Sequence, residues 1–332
     1  MTRAAAIFLV VLSVFVTARS MAHAQGMEKN QEVIPEGRWM FQAGWATHTQ
    51  REGIGRTEKT ASLLELLVLD SADSAQIEGA VQREYRRLDL LFRIGFSDNW
   101  NVTLEMPYVW IEQKSSLSKA SGGADVDQQI ERLSSRSISG PGSLRISSLH
   151  RVFFRDVEAL SWGYGFSLPL GSPESPYAGR GTLFLDNPFR AFFTFVQYDR
   201  FFLSVPGKLE FSGEFKGALD ETFQDLDGNS VTINPGNKMV FWMKWEQDFG
   251  PVFTSLGWRM LQQRASSIGP DRQNDKTKEN AFGFKIGLGN LPKLEKGPLA
   301  FPYLIYFQYE KTINGFNVPV RSEAGIFLKA YF

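Results

Sequence analysis

The sequence contains no cysteine. That excludes disulfide staples, thiolate metal centres and a lipid anchor on an N-terminal Cys. Histidine is nearly as scarce, with 3 in 332 residues. Net charge is missing as well, because 36 basic and 36 acidic residues cancel. Without a basic excess there is no electrostatic case for a nucleic-acid partner. Long apolar runs are confined to Ala4–Val16, which is too short for a spanning helix of about 20 residues. Nothing later supplies an uninterrupted helix of that kind, so a mature chain that crosses a membrane does so as strands. No Pro- or Ser-rich linker divides the chain into domains.

What is present begins with Arg3, the apolar run to Val16, and a small-x-small site at Ala22-His23-Ala24. This is the pattern of a secretory signal peptide. The expected organisation is a signal peptide over 1–24, a periplasmic N-terminal segment over 25–36, and one β-barrel over 37–332. Removing the signal takes Arg3 and Arg19 and no acidic residue, leaving a mature net charge of −2. Only His48 and His150 then remain. Aromatic residues make up 14% of the chain, 28 of them Phe, a supply that the two interfacial girdles of a barrel would use.

Alternation is the dominant signal. At the C-terminal end Ala324, Ile326, Leu328, Ala330 and Phe332 fall on one face, and Glu323, Gly325, Phe327, Lys329 and Tyr331 on the other. Trp39, Phe41, Ala43 and Trp45 form the outward set of a first strand. Leu88, Leu90, Phe92, Ile94 and Phe96 alternate with Arg87, Asp89 and Arg93. The turn Ser97-Asp98-Asn99 leads into Val102, Leu104, Met106, Tyr108 and Trp110, alternating with Asn101, Thr103, Glu105 and Pro107. Further strands are expected at 142–153, 159–169, 189–203, 207–218, 237–248, 251–263, 280–290, 299–311 and 319–332, which makes twelve. Turns near Ser97, Asp156, Pro206, Gly250 and Pro292 read as short, and 112–141, 170–188, 219–236 and 264–279 as long and polar. Single-chain bacterial barrels keep short turns on the periplasmic side and long loops outside, and their strand number is even. Residues 50–82, with the run Leu63–Leu69, are therefore expected in a long first external connection, as a protruding hairpin or a helix folded into the lumen. Two extra spanning strands there would give fourteen.

The passage Arg87 to Trp110, with its Phe96-Ser97-Asp98-Asn99-Trp100 turn and Glu105-Met106-Pro107-Tyr108, resembles the outer-membrane family of the MetA pathway of phenol degradation. A related family of uncharacterised barrels shares the pattern. Gly140-Pro141-Gly142-Ser143-Leu144-Arg145 resembles the Gly-x-Gly-Asp motif that opens the next strand in those families, with Ser143 in place of the acidic residue. Ser167-Leu168-Pro169-Leu170-Gly171 resembles their Leu-Pro-Thr-Gly strand end, with Leu170 in place of Thr. The resemblance implies an outer-membrane location in a Gram-negative bacterium and passage of small hydrophobic or aromatic solutes. It also implies that Ile326, Leu328 and Phe332 form a C-terminal assembly signal read by the barrel-assembly machinery.

Motifs for chemistry are few. A Ser-His pair resembling that of outer-membrane phospholipase needs a Ser beside His48 or His150, and Ser147 and Ser148 are near His150 only in sequence. Asp70, Asp73, Asp199 and Asp220 could serve an omptin-like acid pair at the outer rim, but no motif selects them. Asp225-Leu226-Asp227-Gly228-Asn229 resembles part of a calcium loop and lacks its downstream Glu; Asp-Gly-Asn is also a hairpin turn. Gly140-Pro141-Gly142 is not followed by the helix that a phosphate loop requires. No enzyme, cofactor or metal is expected. Outward parity instead assigns to the lumen Arg87, Asp89, Arg93, Glu105, Arg145, Glu210, Glu214, Lys216, Lys244, Glu246, Arg259, Lys285, Glu310 and Lys329. Trp242, Phe253, Tyr306, Phe327 and Tyr331 share that face. Either this amphiphilic interior lines a wet passage for a small solute, or its charges pair across the lumen and close it into a structural barrel.

Overall fold

The computed structural model describes residues 34, 36–54, 60–64, 77–119, 126–127, 130–131, 133–155, 157–170, 189–202, 207–224, 230–268, 271–272, 276–289 and 302–332. The expected signal peptide lies outside them. Twelve strands carry the architecture: β1 (Trp39–Gln50), β2 (Ile77–Ser97), β3 (Trp100–Lys119), β4 (Ser143–Arg155), β5 (Glu158–Pro169) and β6 (Ala191–Phe202), then β7 (Gly207–Ala218), β8 (Lys238–Phe249), β9 (Val252–Gln263), β10 (Thr277–Gly289), β11 (Tyr303–Phe316) and β12 (Ser322–Tyr331). Each pairs antiparallel with the next, and β12 returns to β1 in a register running from Met40↔Tyr331 to Thr49↔Ser322. Closure leaves no barrel strand with an unpaired edge, which hydrocarbon would not tolerate.

The burial pattern is that of a soluble protein turned inside out. Phe166 and Ile326 are 60% and 62% exposed on the outer face, while Asn101, Gln113, Ser143, Ser167, Lys208 and Glu210 are all at most 2% exposed. An apolar surface continuous around a closed sheet is stable only against lipid. Aromatic side chains mark its margins. Phe96, Trp100, His150, Trp162 and Tyr164 stack in sequence toward the short-turn end, and Trp45, Trp110 and Tyr108 cluster higher up. Rings with one polar atom suit this interface.

β2 and β3 run 21 and 20 residues, about twice the length needed to cross at a 45° tilt. Gln50, the last residue of β1, pairs with Arg83, so Ile77–Gln82 continue above the rim. This corrects two expectations. Part of 50–82 extends a spanning strand, and part of 112–141 is strand, because Arg136–Pro141 pairs with β3 from Gln113 to Tyr108 before the break at Gly142. Glu52–Ile54 and Thr60–Ser62 form the protruding hairpin, which also pairs with Val318–Pro319. Leu63 and Leu64 then pack with Ile77, Val81, Val126 and Leu133 in a small external core. The connection over 290–302 is longer than the short turn expected at Pro292.

The loops over 219–236 and 264–279 are structured in part. Glu221–Gln224 pairs with Ser230–Asn234, and the latter with Ser267–Ile268. Asp225–Asn229 lies outside the described residues.

Candidate functional site

Inward-facing residues enclose a cavity of about 750 Å³ in the half of the barrel nearer the long connections. Of the residues assigned to the lumen by parity, Arg87, Asp89, Glu105, Arg145, Glu214, Lys216, Arg259 and Glu310 line it. A smaller cavity of about 300 Å³ holds Lys244 and Lys285 and shares Trp242, Arg259 and Glu310 with the first. The two spaces therefore meet at the wall between β8 and β11.

A chain of ion pairs runs around one side of the larger cavity. Arg87 meets Asp89 at 2.8 Å and Glu323 at 3.3 Å; Glu323 meets Arg321 at 3.8 Å; Arg321 meets Glu310 at 2.9 Å. Glu310 meets Arg259 at 2.8 Å, and Arg259 meets Glu279 at 3.0 Å. On the far side Arg145 spans from β4 to Glu214 on β7 at 2.9 Å. Its guanidinium lies 4.4 Å from the centre of the Phe193 ring of β6. Phe193 can lie there because Gly165 of β5 leaves the wall bare beneath it: a Cβ at Gly165 would stand 2.7 Å from Cζ of that ring.

Glu210 and Glu246 do not line either cavity. They gather with Lys208, Asp199 and Lys244 near the short-turn end, where Lys208 lies 3.2 Å from Asp199, 3.1 Å from Glu210 and 3.7 Å from Glu246, and Lys244 lies 2.6 Å from Glu210. Asp199 is thus a buried partner of Lys208 and not an outer-rim acid; Asp220 is exposed at the rim, and Asp70 and Asp73 lie outside the described residues. Arg93 donates from Nε to Thr103 Oγ1 at 2.8 Å. Opposite the buried charges, Phe253, Tyr306 and Phe327 pack with Ala46 and Leu304, and Lys285 and Lys329 lie 5.4 and 5.8 Å from the Tyr306 ring centre. Tyr331 packs separately with Ile34 and Met40.

Parity missed several participants. Lys208 and Lys238 share the inward face with Glu210 and Lys244, so a complete reading of the alternation finds them. Arg321 precedes β12 and has no strand phase to reveal it. His48 stacks on Tyr85 with ring centres 4.3 Å apart and lies 3.6 Å from Glu323, inside the ionic chain. Ser148 and His150 are in contact after all, Oγ to Nε2 at 2.9 Å. They face lipid, and the Trp100 indole N–H donates to the same hydroxyl oxygen at 2.7 Å. No carboxylate pairs with His150 among the described residues, so the dyad lacks the third group that would orient the imidazole as a base.

A closed twelve-stranded antiparallel barrel, apolar outside and charged around an internal space, is an outer-membrane β-barrel. No protein-family model matches the chain, and no curated protein does. Among solved structures it is similar to the COG4313 outer membrane channel from Pseudomonas putida F1, with a TM-score of 0.63 and 13% identity over 93% of this chain and 100% of that one. It is also similar, at a TM-score of 0.43 and 11% identity over 90% of each chain, to the toluene transporter TbuX of Ralstonia pickettii. These likenesses are of fold.

Proposed function

We propose that this protein is a passive channel of the Gram-negative outer membrane for small solutes of apolar or aromatic character. The observation that carries the reading is the pair of adjoining cavities, lined by charge and by Trp242 together. A volume of about 750 Å³ lies within the range of sites for small organic molecules. The channel name of the Pseudomonas putida structure supports a channel role, and the resemblance of Arg87–Trp110 to barrels linked with phenol degradation supports the solute class.

A closed structural barrel is the second reading, and one observation favours it: Lys208, Asp199 and Glu210 are at most 3% exposed and fill the wall at the short-turn end. Single-channel recording of the refolded protein in planar bilayers separates the two. Steady conductance that phenol partly blocks is expected of the channel. A silent barrel whose electrophoretic mobility still shifts on heating would overturn it.

We further propose that Ile326, Leu328 and Phe332 form the signal read by the assembly machinery. Phe332 completes the seam through two backbone bonds with Trp39, of 2.8 and 3.0 Å, and its ring lies 5.1 Å from the Trp39 ring.

A further inference from the structure

Lys216 of β7 and Lys238 of β8 are direct cross-strand partners, and both line the larger cavity. Like charges directly opposed in a ladder repel, and a sheet ordinarily avoids them. The carboxylates near Lys238 are already engaged: Glu214 by Arg145, and Glu310 by Arg259 and Arg321. Lys238 has no carboxylate within ion-pair distance among the described residues. The charged groups that act on it are Lys216, Arg259, Glu214 and Arg321, three of the four positive. Two strand periods deeper on the same face of β8 stands Trp242, shared by both cavities. Beyond it Lys285 faces the smaller cavity, also without a carboxylate partner among the described residues, its ammonium toward the Tyr306 ring.

The arrangement repeats: a cation with no carboxylate at ion-pair distance among the described residues, an aromatic face, then another such cation. A halide would satisfy the charge but has no use for the indole between the stations or for a space this large. We propose that the lumen conducts small aromatic carboxylates, the carboxylate resting between Lys216 and Lys238 and the ring passing Trp242 toward Lys285. The proposal rests on the channel reading and narrows its solute class to organic anions. Charge-assisted hydrogen bonds from the Lys238 ammonium would hold the carboxylate at the outer station, with Lys216 adding to the positive field there.

The test compares benzoate, phenol and benzylammonium, solutes of one size and three charges, in proteoliposome flux. Benzoate is expected to pass faster than benzylammonium, and the Lys216→Gln/Lys238→Gln double variant to lower the benzoate-to-phenol flux ratio about three- to tenfold, as the loss of partly screened pairings implies. Phenol, which carries no charge at neutral pH, serves as the denominator, so a general change of the bore cancels from the ratio. An unchanged ratio, or a wild-type preference for benzylammonium, overturns the anion proposal while leaving the channel standing; failure of all three solutes to pass overturns both. Lys285→Gln, remote from the rim, repeats the test should the double variant not fold. Thermal unfolding adds an equilibrium readout, since a bound anion stabilises the folded barrel. Benzoate should raise the melting temperature of the parent and not of the double variant; equal shifts count against the site.

Discussion

Gly44 lacks a side chain where the Phe327 ring stands: a Cβ built there would lie 2.0 Å from Cδ1 of that ring. Gly44→Ala must therefore push Phe327 into Tyr306, which stacks on it with centres 5.1 Å apart. Overpacking of this kind costs about 1–3 kcal/mol, and Phe327→Ala in the same chain should recover part of it, as refolding titrations in urea would show. Parity predicts a second contrast at neighbouring residues. Leu104 is 43% exposed on the lipid face, so Leu104→Arg is expected to cost about 2–4 kcal/mol near the midplane. Glu105→Arg places the same group in the cavity, near Asp89 but also near Arg145 and Arg87, and is expected to cost less than the lipid-facing change. Equal folded fractions on heat-shift gels would reverse the inside and outside assignments. The inward charges were legible because period two leaves each residue only two directions, and lipid forbids one of them to Arg or Glu. Their partners were not legible, since a contact such as Arg145 with Glu214 depends on which strands face one another across the ring.

Strands show the same division between what alternation reveals and what it hides. Within the membrane the expected strands agree with the observed ones to within about four residues at nearly every end, because lipid on one face and water on the other impose the pattern. Above the rim water reaches both faces, and Glu112-Gln113-Lys114-Ser115-Ser116 is polar throughout. That passage reads as loop although it is paired in β3 against Ser116↔Ala80 through Glu112↔Glu84. Gly79 belongs to this extension. Its φ of 130° is closed to other residues, and a Cβ would meet the Ser116 carbonyl oxygen at 1.8 Å. Gly79→Ala should release the outer end of the β2–β3 hairpin, at a local cost of about 1–3 kcal/mol, while the barrel below stays closed. Limited proteolysis would detect new cleavage in 77–82 with the heat shift unchanged; loss of the barrel itself would show that the extension is needed for closure.

For the whole molecule, the ionic chain from Arg87 to Glu279 joins β2, β12, β11, β9 and β10 around one side, and Arg145 with Glu214 joins β4 to β7 on the other. Arg145 also narrows the cavity where it crosses Phe193. Arg145→Ala should raise single-channel conductance without shifting the melting temperature by more than a few degrees, since a partly exposed pair contributes about 0–1 kcal/mol. A fall in conductance would mean that the guanidinium helps ions through instead of standing in their way. A ring of twelve hinged staves holds its perimeter but not its outline, and a lateral squeeze from the bilayer would flatten it into an oval. The bond from β4 to β7, three staves apart, is a chord across that outline, and cutting it is expected to leave a barrel that still seals but breathes.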